Sequence, residues 1–76
     1  MLNRLKLTWR ITCFADYGAV SVVVEVFSIK AFTKFGALWH YINNYKDKTY
    51  TSFTEKYQEH FPLYFWEKIE RVKNKK

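Results

Sequence analysis

The sequence has few of the residues that break or cross-link a polypeptide chain. Its 76 residues include one proline, two glycines and a single cysteine, Cys13. Small secreted domains usually depend on several disulfide bonds, so one cysteine argues against that class and predicts a reducing, cytoplasmic location. Because 49% of the residues are hydrophobic and chain breakers are so few, the chain is expected to fold rather than remain disordered.

Long apolar stretches are also lacking. The most apolar run, residues 20–27, contains a serine and a glutamate and is much shorter than the roughly 18 residues that a membrane span needs. The first 14 residues alternate apolar with polar or basic side chains, unlike a signal peptide. We therefore expect a soluble protein with no membrane partner. The length predicts a single domain over residues 1–72, followed by a basic tail at 73–76.

The sequence contains no recognisable metal-binding set or activated nucleophile. Cys13 completes an alternating apolar pattern, which predicts a small core residue rather than a reactive thiol. One cysteine with two histidines, His40 and His60, is too few for a tetrahedral zinc site. Gly18 and Gly36 do not form a phosphate-binding loop. We therefore predict no metal and no cofactor.

The carboxylates likewise give no catalytic pattern. Glutamates form two close pairs, Glu55 with Glu59 and Glu67 with Glu70, in lysine-rich amphipathic segments. Acid–base catalysis needs a pocket that moves the pKa values of such a pair apart, whereas charges in these segments usually form a solvated surface. So short a chain is also expected to have little room for a pocket of several hundred cubic ångströms. We predict that the protein is not an enzyme and has no catalytic residues.

Two N-terminal segments alternate with the period of half-buried β-strands. Apolar residues occupy every second position from Leu5 to Cys13 and again from Val20 to Val26. The residues between these segments, Ala15 to Gly18, are typical of a turn, and Gly18 can adopt a positive φ angle without steric cost. The pattern predicts an antiparallel hairpin.

The period then changes to that of a helix. The apolar residues expected to share one helical face are Ala31, Phe35, Leu38, Trp39, Ile42 and Tyr45. Thr33 or Ser28 is a suitable N-cap, and the polar residues 43–48 would end this helix. Ser52 and Glu55 have the spacing of a capping box, which predicts a second, short helix that ends before Pro62.

Residues 63–73 fit two secondary structures. A helix would align Phe65 with Ile69, whereas a strand would place Tyr64 and Trp66 on one face. We favour the strand because a lone hairpin is marginally stable in water and a third strand completes a sheet. The predicted fold class is therefore α+β, with the order ββααβ: a small three-stranded antiparallel sheet, made of the N-terminal hairpin and the C-terminal strand, with two helices packed on one face. A helical C-terminal segment is the alternative.

Aromatic residues are unusually numerous, at sixteen of 76. Aligned positions such as Phe35, Trp39, Phe53 and Tyr57, with the valines of the second strand, would already fill the core of so small a domain. Other aromatic side chains are then expected at the surface, where aromatics beside basic residues are typical of interface centres. We predict that a partner protein contacts Arg10, Phe14, Tyr17, Phe27 and Trp66.

The net charge of +6 supports an alternative function, nucleic-acid binding. The sheet surface and the lysine-rich tail would then hold phosphates, and Phe14, Phe27 or Tyr17 would stack on bases. Ten lysines against three arginines is a poor ratio for base recognition, so a protein partner is favoured. The residues predicted for the alternative are Arg4, Lys6, Arg10, Arg71, Lys73, Lys75 and Lys76.

The short chain, the hairpin-plus-helix plan and a composition rich in Lys, Asn, Tyr and Phe are similar to those of small accessory proteins encoded by bacteriophages. That resemblance implies direct binding to a host factor and carries no individual residues over. The preferred function is a small protein-binding module that inhibits or modulates a partner protein. An exposed edge strand would also permit a homodimer.

Overall fold

A computed structural model describes residues 6–73 and has the predicted order of elements. The C-terminal segment is a strand, so the favoured interpretation of residues 63–73 is confirmed. The elements are β1 (Leu7–Asp16), β2 (Ser21–Ala31), α1 (Lys34–Tyr41), a π-helical segment (Ile42–Lys46), α2 (Asp47–Lys56) and β3 (Tyr64–Val72).

The three strands form one antiparallel sheet in the order β2-β1-β3. The predicted hairpin joins β1 to β2, and Gly18 in its turn has a φ of 94°. Asp16 supports this turn because its Oδ1 accepts a hydrogen bond of 2.8 Å from the Gly18 amide. The central strand is therefore β1, and the outer edges of the sheet belong to β2 and β3.

The core lies between one face of the sheet and the helical segments. Side chains of β1 alternate, so that Ile11, Cys13 and Ala15 are buried while Thr12 and Phe14 point to the other face. No helix of the described residues covers that second face, which we call the open face. The buried apolar residues are Ile11, Cys13, Ala15, Ile29, Ala37, Tyr41 and Tyr50.

The predicted inward face of the first helix is wrong at Phe35 and Trp39, although Leu38 packs against the core as expected. Phe35 is 80% exposed and Trp39 is 66% exposed, whereas Ala37 and Tyr41 are buried against the sheet. Ala37 and Tyr41 are four residues apart and therefore also share a face. The small Ala37 side chain permits a close approach to the sheet, whereas Phe35 and Trp39 remain on the outside. The valines of β2 and Tyr57, also expected in the core, are mostly exposed.

The predicted break between two helices is also wrong. Helical structure continues from Lys34 to Lys56 through the π-helical segment, so Ser52 lies inside α2 and does not cap it. The other predicted cap is confirmed, since the Gly36 amide donates to Thr33 Oγ1 over 3.0 Å. Within residues 6–73, no helix has the length and apolar character needed to cross a membrane.

Candidate binding surfaces

The open face has an apolar half near the hairpin turn. Phe14 of β1 lies opposite Trp66 of β3, and their rings stack with centroids 4.2 Å apart and planes inclined by 16°. On the β2 side, Val23 pairs with Phe14. Val26 pairs with Thr12, which also points to the open face. Val23, Val26 and Tyr64 are exposed. The stacked rings are therefore bordered by apolar side chains in contact with water.

The other half of the open face is charged. Arg10 of β1 lies opposite Glu70 of β3, with Nη1 and Oε1 3.6 Å apart. Lys68 approaches the same carboxylate, with Nζ 3.5 Å from Oε2. All three side chains are substantially exposed, so these ion pairs contribute little to stability. One carboxylate thus partly neutralises two basic groups.

The structure brings three of the five predicted partner-binding residues together. Arg10, Phe14 and Trp66 all lie on the open face. Tyr17 lies beyond the end of β1, where its hydroxyl donates to the His60 carbonyl over 2.9 Å. Phe27 lies on the helix side of the sheet and stacks on Tyr45, with ring centroids 4.7 Å apart.

The residues predicted for nucleic-acid binding do not share one surface in the described part of the chain. Arg10 is on the open face, whereas Arg71 pairs with Trp9 and so belongs to the helix side. Lys6 precedes β1, and its ammonium lies 5.7 Å from the centroid of the Phe32 ring. Lys73 follows β3. The remaining members of the set, Arg4, Lys75 and Lys76, lie outside the described residues.

Beneath the helices is a group of polar side chains that sequence reasoning missed, the tyrosine–carboxylate cluster of Cys13, Tyr41, Tyr50 and Glu67. The hydroxyl of Tyr50 donates to Glu67 Oε2 over 2.5 Å, and that of Tyr41 donates to the same oxygen over 3.4 Å. The Cys13 thiol donates to the Tyr41 hydroxyl over 3.0 Å. Lys46 adds a charge, with Nζ 4.0 Å from Glu67 Oε2. The cluster gives a largely buried carboxylate two hydroxyl donors and a cation.

Burial controls the acid–base properties of this cluster. Loss of solvation raises the pKa of the Cys13 thiol above its usual value. Burial also raises the pKa of Tyr41 and of Tyr50 well beyond the normal range of a tyrosine, and hydrogen bonding adds to the effect. A reactive thiol or phenolate needs the opposite shift. In the folded protein these three groups are therefore held in their protonated, hydrogen-bond-donating forms at neutral pH.

The π-helical segment explains how both tyrosines reach Glu67. Tyr41 and Tyr50 are nine residues apart, which is about two and a half turns of α-helix, so an unbroken α-helix would place them on opposite sides. The wider π turns at Ile42–Lys46 accommodate one extra residue, and this reduces the angle between Tyr41 and Tyr50 about the helix axis. Tyr41 and Tyr50 consequently both lie in the core.

A groove runs between the outer edge of β2 and helix α2. Its volume is about 460 Å³, so the expectation that so short a chain has little room for a pocket of several hundred cubic ångströms is wrong. Phe27, Tyr45 and Phe53 supply aromatic walls, while Lys48 and Lys56 add charge. The full lining is Val23, Val24, Glu25, Phe27, Tyr45, Lys48, Thr49, Ser52, Phe53, Lys56 and Tyr57.

Comparisons with protein-family models, curated proteins and solved structures found no match to this chain. Function must therefore be inferred from the two surfaces themselves. The open face offers an area that is partly apolar and partly charged, and the groove lies beside the edge of β2, which has no strand partner among residues 6–73.

Proposed function

We propose that the protein is a small, non-enzymatic protein-binding module that inhibits or modulates a partner by covering part of its surface. The observation that carries this proposal is the apolar half of the open face. Phe14 and Trp66 stack there, bordered by exposed Val23, Val26 and Tyr64, and no described element covers them. An apolar patch next to charged side chains is typical of a docking surface.

Trp66 is the residue from which we expect most of the binding energy. Tryptophan at the centre of an interface is a frequent hot spot, where truncation costs about 2 kcal/mol or more. Its indole Nε1 is buried and has no hydrogen-bond partner among residues 6–73, which costs the isolated protein about 1–3 kcal/mol.

Charge favours a protein partner over nucleic acid on this face. Arg10 and Lys68 share the carboxylate of Glu70 instead of forming a purely basic surface. Phe14 and Trp66 stack on each other, whereas recognition of single-stranded bases needs aromatic rings free to receive them. The buried, unpaired thiol of Cys13 suits a reducing compartment, and we place the activity in the cytoplasm.

The non-enzymatic part of the proposal is supported by the tyrosine–carboxylate cluster. Four titratable side chains are hydrogen-bonded to one another in this cluster, and burial raises the pKa of its thiol and of both phenols. Groups held in their protonated forms donate hydrogen bonds and do not attack substrates at neutral pH.

A pull-down with matched variants tests the proposed function. The wild-type protein and the F14A/W66A variant are used to capture partners from lysate of the source cells, with and without nuclease treatment. We expect the wild type to retain a partner protein in both lysates and F14A/W66A to retain at least tenfold less, which corresponds to about 1.4 kcal/mol. The control is F35A/W39A, which removes two exposed aromatics from α1 and should bind like the wild type.

Circular dichroism of each variant establishes that the fold is retained. Partner capture that is unchanged in F14A/W66A would show that the open face is not the docking surface. Loss of all partners after nuclease treatment, with nucleic acid recovered from the untreated lysate, would replace the proposal by nucleic-acid binding.

A further inference from the structure

We propose that the groove between β2 and α2 is a second binding site, which takes an extended acidic peptide segment as an added strand on β2. This inference does not rest on the open face. The groove lies toward the helix side of the sheet, and Val23 alone among its lining residues also borders the apolar half of the open face. The occupant is a segment of another protein with carboxylates on the side that faces α2.

The backbone of β2 provides the first part of the site. β2 is an eleven-residue strand at the edge of the sheet, and its outer side has no strand partner among the described residues. Alternate N–H and C=O groups along that edge are available to pair with an extended chain. Its run of valines favours the pleated conformation that such pairing requires. The edge can therefore hold a strand by main-chain hydrogen bonds.

Helix α2 closes the far side of the groove and gives it a depth that suits an apolar side chain. The rings of Phe27 and Tyr45 stack with centroids 4.7 Å apart, and Phe53 also lines the groove. The volume of about 460 Å³ is within the range of functional pockets, roughly 300–1,000 Å³. Because every second side chain of an added strand would point toward the helix, one such residue can fill this space.

Lysines on α2 define the charge of the occupant. Lys48 and Lys56 both line the groove, and neither forms an ion pair within residues 6–73. They are eight residues apart, or about 12 Å along a helix axis. Positions i and i+4 of an extended strand are about 13 Å apart and point to the same side. An added strand with carboxylates at i and i+4 and an apolar residue at i+2 therefore has a spacing of charges close to that of the two lysines.

Glu25 also lines the groove, but the two lysines leave it net positive. A second copy of the protein is a poorer occupant. β2 carries Glu25 as its one carboxylate, so a pairing of two β2 edges cannot provide the spaced acidic pair that faces Lys48 and Lys56. The observations favour a different chain with an acidic strand.

Two synthetic peptides of the same length test the proposal: TETVTET, with glutamates at i and i+4 around a valine, and TKTVTKT, with lysines in their place. Binding to the ¹⁵N-labelled protein is followed by changes in amide chemical shift. We expect TETVTET to bind at least tenfold more tightly, with the largest shifts between Val22 and Phe27 and in the facing turns of α2. The charge-reversed variant K48E/K56E should prefer TKTVTKT.

The matched control is K34E/K73E, which makes the same change in net charge at exposed positions away from the groove. It should keep the preference for TETVTET. Strand addition is tested separately with two versions of TETVTET that are N-methylated at odd or at even positions. One version should lose binding and the other should keep it, because only alternate amides of an added strand face β2.

Several results would overturn the proposal. The site for an acidic segment would be wrong if neither peptide bound at millimolar concentration, if both bound equally well, or if the chemical-shift changes were confined to the open face. Strand addition would be wrong if both N-methylated versions had the same effect on binding. A dimer seen by sedimentation, with β2 amides protected in it, would show that a second copy occupies the edge. None of these results bears on the partner of the open face, which is tested by F14A/W66A.

Discussion

At the scale of single residues, Glu67 shows how a carboxylate is accommodated next to the core. Removing a carboxylate from water is costly unless hydrogen bonds and an opposite charge replace the lost hydration. Two tyrosine hydroxyls and the Lys46 ammonium provide these contacts on one side-chain oxygen. Loss of one of these hydroxyls should therefore lower the free energy of unfolding more than the same change at a solvent-exposed tyrosine.

Replacement of Tyr50 by phenylalanine tests this conclusion. Y50F keeps the ring that stacks on Phe65 but removes the donor closest to Glu67. Hydrogen bonds to charged groups contribute about 1.5–3 kcal/mol, so we expect the free energy of unfolding to fall by about that amount. Unfolding in urea, followed by circular dichroism, measures the change.

The control for this measurement is Y45F. The Tyr45 hydroxyl has no hydrogen bond to the described residues, and its ring is partly exposed. We expect its free energy of unfolding to change by less than about 0.5 kcal/mol. If Y50F were no less stable than Y45F, the Tyr50–Glu67 hydrogen bond would not be a significant contribution to the fold.

The sequence contains a signal for the position of Glu67. Once residues 64–72 are taken as a strand, Phe65, Glu67 and Ile69 must share a face, which places a carboxylate among apolar residues. Its tyrosine partners could not be found in the same way. They depend on how a helix lies over the sheet, which is a long-range property. The same limit applies to Phe14 and Trp66, since their stacking depends on the β1–β3 register.

At the scale of elements, local patterns predicted the strands well and the helical face poorly. The alternation in β1 and β2 and the turn at Gly18 were correctly predicted because hairpins form between neighbouring segments. The apolar periodicity of α1 identified a helix but pointed to Phe35 and Trp39, which are exposed. A large apolar stripe indicates burial against the chain itself or against a partner, and periodicity does not distinguish these two cases.

The π-helical segment yields a prediction about length. Deletion of Asn43 should convert Ile42–Lys46 to regular α-helix while Tyr50 keeps its position, because a π turn accommodates one extra residue. We expect stability within about 1 kcal/mol of the wild type, measured by urea unfolding. Deletion of both Asn43 and Asn44 would rotate α2 by about a further 100° and remove Tyr50 from Glu67.

The double deletion should therefore be less stable than Y50F, because it displaces the whole of α2 and not a single hydroxyl. Equal stability of the single and double deletions would show that the rotation of α2 relative to the sheet is not fixed by the cluster. If the single deletion lowered the free energy of unfolding more than the double deletion, the π turns would have a role other than accommodating one extra residue.

At the scale of the whole molecule, the core is thin and the exposed apolar surface is large. Seven apolar residues are buried, whereas thirteen large ones are exposed among the residues described. Small domains with so little buried area have low stability, and their exposed apolar groups are available for binding. The tyrosine–carboxylate cluster is then important globally, since Cys13, Tyr41, Tyr50 and Glu67 connect β1, α1, α2 and β3.

This arrangement predicts cooperative unfolding at alkaline pH. Burial raises the pKa of Tyr41 and Tyr50 in the folded protein, while the unfolded tyrosines ionise near pH 10. The folded state then holds more protons, so the stabilisation is complete below about pH 10 and is lost as the pH rises above it. The raised pKa of Cys13 acts in the same direction from a slightly lower pH. Each retained proton contributes a slope of up to about 1.4 kcal/mol per pH unit.

Urea unfolding between about pH 8 and pH 11, together with the absorbance of tyrosinate, measures this slope. We expect the rise in tyrosinate from Tyr41 and Tyr50 to coincide with the loss of circular dichroism, because burial raises the pKa of both phenols as long as the core is intact. Y50F should be less stable than the wild type at pH 8. Above pH 10 it should lose stability less steeply than the wild type, because it lacks the Tyr50 phenol proton that the folded state retains. Y45F should keep the wild-type slope. Equal slopes in Y50F and the wild type would show that ionisation of the cluster does not control the alkaline stability of the molecule.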